Sequence, residues 1–331
     1  MTEDHPKKLF LLDAFALIYR AYFAFGNNQR YNSKGQNTSA ILGFTNTLLE
    51  ILRKENPTHI AVVFDTAEPT VRHEEYEEYK ANRDEIPDDI VTSIPYIQGI
   101  IKGFNIPVLF SNGYEADDVI GTLAKKAEEK GYITYMMTPD KDYGQLVSEN
   151  IFIYKPAAFG KGPQILGVKE VCQKFDIKTP DQVIDILGLM GDSVDNIPGI
   201  RGVGEKTAMK LIKEYGSVEN LLEHTEELKG KLKEKVETDK ENAILSKKLA
   251  TIICDVPVEF DDKELTKEDP DKDVLREIFT ELEFKRLSQQ VLGEELLKPP
   301  PPKANGNGQT NLFGQTSDSD ESEENQEEAP A

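Results

Sequence analysis

Tryptophan is absent from this 331-residue chain, and cysteine and histidine are scarce, at two and four copies. The cysteines, Cys172 and Cys254, stand far apart with no CxxC pair or Cys/His cluster around them. That excludes a disulfide framework and a zinc finger, and it suits a reducing compartment. His5, His59, His73 and His224 are too scattered to form a ligand set and read as surface or satisfied interior residues. No run of 18 apolar residues occurs and the first residues carry no hydrophobic signal core, so a soluble cytoplasmic protein is expected. Positive charge is short as well: 39 Lys and Arg face 60 Asp and Glu, a net charge of −21. Bulk charge of this sign argues against a nucleic-acid partner. Its distribution weakens that argument. From Pro299 onward Lys303 alone stands against seven carboxylates, and nine others recur at positions that suit metal ions.

What the chain does have is length for about two domains and a series of short apolar runs. Residues 8–12 end on Asp13, and an apolar-aromatic helix pattern follows to about Phe25. Residues 43–52 read as a helix closed by Asn56-Pro57, and residues 60–64 form a β-branched strand ending on Asp65. Residues 132–137 lead through Thr138-Pro139 to Asp140 and Asp142, and residues 151–154 make a fourth strand. Apolar strands alternating with helices predict an α/β fold, a parallel sheet covered on both faces. Ligands of such sheets bind outside the carboxyl ends of the strands. One aspartate there is an ordinary turn residue; three strands ending the same way converge.

Glu115-Ala116-Asp117-Asp118 opens a helix to about Lys130, where acidic residues also complement the helix dipole. Three carboxylates in four positions exceed what a cap needs. The 49 residues between Asp65 and Glu115 show no clear strand but carry Arg72, Tyr76, Tyr79, Lys80 and Arg83. On a helix Lys80 and Arg83 would share a face with Tyr76 and Tyr79, cations interleaved with aromatics as on a single-strand path. Glu74, Glu75, Glu77 and Glu78 crowd the same stretch, so a solvated helix face with Glu–Lys pairs is the competing explanation. An amphipathic helix then runs to about Phe104.

Thr179-Pro180-Asp181-Gln182 is a capping box with Pro at the first helical position. Its helix ends near Gly191, ahead of Asp192, Asp195 and a hairpin, Pro198-Gly199-Ile200-Arg201-Gly202-Val203-Gly204. Gly199, Gly202 and Gly204 permit positive φ and close approach, and Lys206 stands at the start of the next helix. Such a loop suits a phosphodiester backbone without base readout, although glycine turns between helices also serve plain packing. Lys229, Lys231, Lys233 and Lys235 could follow the same backbone or solvate a helix. Helical patterns continue to about Leu297. Pro299-Pro300-Pro301-Pro302 then begins a polar, acidic tail, expected to be disordered over 298–331.

The nine carboxylates are Asp13, Asp65, Glu115, Asp117, Asp118, Asp140, Asp142, Asp192 and Asp195. In one pocket, unpaired, they would drive one another to protonate. Divalent cations resolve this, and histidine-free oxygen ligation selects Mg²⁺, with Mn²⁺ as substitute. Two ions about 4 Å apart can activate water and stabilise the leaving oxygen of an in-line displacement at phosphorus. Lys80 and Arg83 would neutralise charge on the transferring phosphate.

These stretches together resemble the 5′-nuclease (flap endonuclease) superfamily, most closely the 5′→3′ exonuclease domains of bacterial DNA polymerases of type I. The matching segments are Leu12-Asp13 with Ile18-Tyr19-Arg20, Val63-Phe64-Asp65, Tyr79-Lys80-Ala81-Asn82-Arg83, and Gly113-Tyr114-Glu115-Ala116-Asp117-Asp118. Thr138-Pro139-Asp140-Lys141-Asp142 and residues 191–208 complete them, and the resemblance spans roughly 7–290. It implies a PIN-like nuclease domain over 1–178 with a helical arch at about 66–105, and a helix–hairpin–helix domain over 179–297 that grips duplex DNA. It implies a first metal at Asp13, Asp65, Glu115 and Asp117, and a second nearer Asp118, Asp140, Asp142, Asp192 and Asp195. Arg20, Tyr79, Lys80 and Arg83 would match arch-side groups that steer the 5′ strand and scissile phosphate. A hairpin of this kind often holds K⁺ between backbone carbonyls and a DNA phosphate. One departure is Tyr143, where leucine is usual after Asp-Lys-Asp; it bears on packing. Gln309-Thr310-Asn311-Leu312-Phe313 in the tail looks like a sliding-clamp peptide. The expectation is a monomeric, nucleoid-associated enzyme that removes 5′ flaps and RNA primers and acts at nicks. A structure-specific DNA-binding module without activity is the alternative, and a haloacid-type phosphatase would explain the strand-end aspartates but not the hairpin.

Overall fold

A computed structural model describes residues 6–157 and 162–293. Its centre is β1 (Lys8–Asp13), where Leu9, Phe10, Leu11 and Leu12 are wholly buried. Burial on both sides follows from neighbours: β1 pairs in parallel with β2 (His59–Val63) and with β4 (Ile133–Met137). β2 continues to β3 (Val108–Leu109), and β4 to β5 (Ile151–Lys155). The edge strand β6 (Gln164–Leu166) runs antiparallel to β5, giving the order β3-β2-β1-β4-β5-β6. β3 and β6 are the strands the sequence pattern did not disclose. Two and three residues respectively, with half-exposed or exposed side chains, give no apolar run to read.

Alternation along the strands builds two cores. Leu9, Leu11, Ala61, Val63 and Met136 face one side, and Phe10, Leu12, Ile60, Val62 and Met137 the other. The second side is covered by α1 (Ala14–Ala24), α2 (Ser39–Glu50) and, beyond the short α3 (Val71–Glu75), α4 (Asp88–Gly103). α5 (Ala116–Glu129) covers the first side through Val119, Ile120, Leu123 and Ala127. After α6 (Val168–Phe175) the chain is helical: α7 (Val183–Met190), α8 (Glu205–Tyr215), α9 (Val218–Glu223), α10 (Gly230–Thr238) and α11 (Lys240–Ala250). Their apolar residues extend the core on the α5 side. α12 (Asp262–Leu265) precedes α13 (Lys272–Glu281) and α14 (Lys285–Leu292), which return to α4 on the other side. The described residues pack as one unit. No helix among the described residues is long and apolar enough to cross a membrane.

The hairpin before α8 shows its glycines at work. Gly191 and Gly199 have φ of 68° and 60°, and a Cβ on Gly199 would stand 2.4 Å from the Gly191 nitrogen. Gly199 therefore lets two backbone segments touch within the protein. Gly202 also has positive φ, 73°, and lies on the exposed surface. Gly204 differs from the expectation: its φ of −98° is ordinary extended backbone, the entry to α8, because the left-handed turn is complete by Gly202.

Candidate active site

Each strand end carries its acid to one place because the strands are parallel and in register. Asp13 pairs with Val63 across β1–β2, one residue ahead of Phe64 and Asp65. Asp13 turns the chain into α1, its Oδ1 accepting from the Ala16 amide at 3.1 Å, while Oδ2 accepts from Thr138 at 3.1 Å. Asp65 accepts from the Ala116 amide at 2.9 Å, which joins the end of β2 to the start of α5. A cavity of about 530 Å³ opens here, lined by Asp13, Asp65, Glu115, Asp117, Asp140, Asp142 and Asp195. Asp192 lies next door, in a second cavity of about 430 Å³ that shares Arg83, Asp140, Asp142 and Asp195 with the first.

The insert reaches the same cavity by a route other than a helix. α3 ends at Glu75; Tyr76 is extended with φ −145°, and Lys80 adopts the left-handed region with φ 56°. The shared helical face expected for Tyr76, Tyr79, Lys80 and Arg83 is therefore not formed. Four glutamates at 74, 75, 77 and 78 disfavour one another at helical spacing, and bonds to a distant loop replace the helix. The Lys80 amide donates to the Asp195 carbonyl at 2.9 Å, Asn82 to the Ser193 carbonyl at 2.7 Å, and Asn196 to the Glu78 carbonyl at 2.7 Å. So held, the Lys80 ammonium contacts Glu115 at 2.6 Å and Asp195 at 4.0 Å, and Arg83 pairs with Asp195.

Other expected site residues are placed elsewhere. Tyr79 is buried and donates to Glu115 at 3.1 Å, so its ring offers no free face for stacking. Tyr76 is half-buried with its hydroxyl on Glu78 at 3.0 Å. Arg20 donates to the Pro156 and Ala157 carbonyls and does not line the acidic cavity. Arg72 and Asp118, expected as a DNA contact and a metal ligand, are buried against each other with two bonds of 2.7 Å. Both Asp118 oxygens are used, one also by the Glu115 amide at 3.1 Å and one by the Ile253 amide at 2.8 Å. Lys206 is exposed on α8. The tail peptide 309–313 lies outside the described residues.

The electrostatics of the cavity are those of crowded anions. Burial, then Asp65, pushes the Asp13 carboxyl up to about 7 against the bonds from Ala16 and Thr138. Burial, then Asp140, pushes Asp142 up to about 7 against Lys141. Burial, then Asp118, raises Asp117 as well, and burial raises Asp65. Buried Oδ1 atoms of Asp117 and Asp142 have no hydrogen-bond partner. Unsatisfied buried carboxylate oxygens are costly and need a cation or a proton. Among the described residues no three acids are drawn close enough to form a finished ligand cage. Lys80 and Arg83 stand among the carboxylates and hold two of them instead. The donor set itself, carboxylate oxygens without nitrogen or sulfur, fits a hard divalent ion.

A consequence for stability follows from the raised values. Between the ordinary carboxylate range and about 7 the folded chain binds protons that the unfolded chain has released. Stability from these groups therefore falls as pH rises through that window. In a chelating buffer the chain is expected to melt at a lower temperature at pH 8 than at pH 6, with a smaller drop in Asp142→Asn. Equal pH dependence in both proteins would show that these acids are not charged against their surroundings.

Two family models match the chain: the 5′-3′ exonuclease N-terminal resolvase-like domain over residues 8–176, and the 5′-3′ exonuclease C-terminal SAM fold over 178–273. The chain belongs to the 5′-3′ exonuclease family. A 5′-3′ exonuclease of Aquifex aeolicus is 40% identical over 285 residues, covering 86% of this chain and 95% of that protein. DNA polymerase I of Bacillus subtilis is 41% identical over 296 residues, 89% of this chain and 33% of the polymerase. The chain thus spans about a third of the length of the polymerases it matches. Among solved structures, the bacteriophage T5 D15 flap endonuclease, complexed with DNA and metal ions, superposes with a TM-score of 0.61 at 17% identity. That match covers 87% of this chain and 98% of the phage protein. The catalytic core of Rad2 with a DNA substrate gives 0.56 at 19% identity, covering 88% and 90%. These two likenesses support the flap-nuclease fold: a PIN-like sheet domain followed by a helical one.

Proposed function

We propose that the chain is a structure-specific 5′→3′ exonuclease and 5′-flap endonuclease that hydrolyses phosphodiester bonds, leaving a 3′-hydroxyl and a 5′-phosphate. The observation that carries this is one cavity gathering seven of the nine expected carboxylate ligands from remote parts of the chain beside Lys80 and Arg83. The nuclease domain would be 1–178 and the DNA-gripping domain 179–297, the latter presenting the hairpin and Lys206 to duplex phosphates. Asp13, Asp65, Glu115 and Asp117 would hold one Mg²⁺ and Asp140, Asp142, Asp192 and Asp195 a second, with Mn²⁺ able to replace them. Two such ions supply an activated water and stabilisation of the leaving oxygen. The orphaned oxygens of Asp117 and Asp142 are what this donor set leaves for cations.

The chain's own groups do the rest. Lys80 and Arg83, held by the 193–196 loop, would exchange their carboxylate partners for the scissile phosphate once those carboxylates turn to other cations. Tyr79 and the Asp65–Ala116 bond keep Glu115 and the start of α5 in place meanwhile. The reading extends to removal of 5′ flaps and RNA primers and action at nicks during DNA replication and repair, by a monomer working at the nucleoid. K⁺ at the hairpin carbonyls and a sliding clamp at Gln309-Thr310-Asn311-Leu312-Phe313 belong to the same proposal. Relatives support two settings, the amino-terminal part of a DNA polymerase I and a free-standing nuclease.

The test is a 5′-labelled flap substrate with Mg²⁺. Cleavage near the junction, abolished by EDTA and restored by excess Mg²⁺ or Mn²⁺, is the expected result. Flap binding without cleavage at saturating Mn²⁺ would instead make the chain a DNA-binding module.

A further inference from the structure

Beyond the acidic cavity, the second cavity of about 430 Å³ has a wall of different character. Lys141, Lys155 and Lys174 line it together with Arg83, facing Asp140, Asp142, Asp192 and Asp195. Two of these cations are already matched: Lys141 lies 3.6 Å from Asp192, and Arg83 pairs with Asp195. Lys155, at the end of β5, donates to the Pro139 carbonyl at 2.8 Å, and Lys174, in the last turn of α6, lies over the Phe175 ring. Neither makes an ion pair with a carboxylate among the described residues. Burial, then the charge of Lys174, pulls the Lys155 ammonium below its ordinary range. Two like charges held close on different elements, one partly desolvated, are stabilised by an anion placed between them.

Which anion follows from where the cavity leads. It shares Arg83, Asp140, Asp142, Val194 and Asp195 with the acidic cavity and adds Asp192, on the loop that enters the hairpin. A strand laid across the first cavity would pass through the second on its way toward the hairpin. Lysine ammoniums are point charges suited to phosphate oxygens and do not read bases. We propose that Lys155 and Lys174 form a backbone-phosphate subsite that holds the duplex side of the DNA strand next to the reacting phosphodiester. This rests on the nuclease reading above and adds a fixed contact between the acidic centre and the hairpin.

The experiment uses the full chain and a 5′-flap DNA, with binding followed by fluorescence anisotropy in EDTA across a KCl series. Steady-state cleavage in Mg²⁺ gives KM and kcat. For K155A/K174A the slope of log Kd against log salt is expected to fall by about 0.9 for each phosphate no longer neutralised. KM should rise roughly tenfold with the loss absent from kcat, and K155R/K174R should restore both. The control is K102A/K130A, in the last turn of α4 and just past the end of α5, neither of which lines either cavity; it removes the same charge. An unchanged slope and KM in K155A/K174A, or an equal change in the control, overturns the subsite. Those outcomes leave the nuclease reading intact as long as the parent chain cuts the flap. A parent chain that neither binds nor cuts flap DNA overturns both.

Discussion

Replacing Asp117 or Asp142 by asparagine is expected to lower kcat on a flap substrate by about 10³-fold while flap binding stays within about threefold. The amide keeps the shape of the carboxylate, so packing around α5 and the segment after β4 should survive. What it loses is the negative oxygen that in both residues is buried and without a hydrogen-bond partner. Two measurements then move in opposite directions. Activity falls because a cation ligand is gone, but the metal-free chain should melt at a higher temperature, since a buried carboxylate repelled by Asp118 or Asp140 has been neutralised. A residue that merely supported the fold would lower both. Unchanged turnover in either variant would remove that carboxylate from the catalytic set, and a drop in metal-free stability would assign it to structure.

How far the sequence disclosed this centre depends on which physical signal carried each part. Asp13, Asp65 and Asp140 were legible because apolar strands announce themselves and parallel sheets present their carboxyl ends together. Glu115 and Asp117 were legible as acids in excess of a helix cap. The path of the insert was not. A glutamate-rich stretch with two tyrosines fits a helix face by spacing alone, while its observed course is set by Asn82, Asn196 and the Lys80 amide bonding to residues more than a hundred positions away. Short strands β3 and β6 escaped for a related reason, since their pairing comes from neighbours and not from their own residues. Lys155 and Lys174 carried no local mark at all; only a strand end and a helix end brought into one cavity make them a pair. The same limit explains Asp118. By spacing it belongs with Glu115 and Asp117, and nothing local distinguishes a carboxylate aimed at a cavity from one aimed at Arg72.

That pair underlies the largest stability effect we expect. Arg72 and Asp118 are 4% and 0% exposed, and removing one partner leaves the other's charge buried without compensation. Burial alone would pull the Arg72 guanidinium down, but the bonds to Asp118 and the charges of Asp117 and Asp118 more than offset it. Asp118→Asn or Arg72→Met should therefore cost about 3–5 kcal/mol in urea unfolding. An ordinary buried ion pair can often be exchanged for apolar residues at little cost. Here the double variant R72M/D118L should not recover, because the pair also serves the backbone. Arg72 donates to the Leu249 and Thr251 carbonyls at 2.9 Å, and Asp118 accepts from the Glu115 and Ile253 amides. Apolar replacements leave those four groups unpaired inside the protein, at about 1–3 kcal/mol each. The pair therefore fastens the start of α5, which carries Glu115 and Asp117, to the segment after α11. Full recovery in R72M/D118L would show that the pair acts by charge alone and that this segment is held by its apolar neighbours.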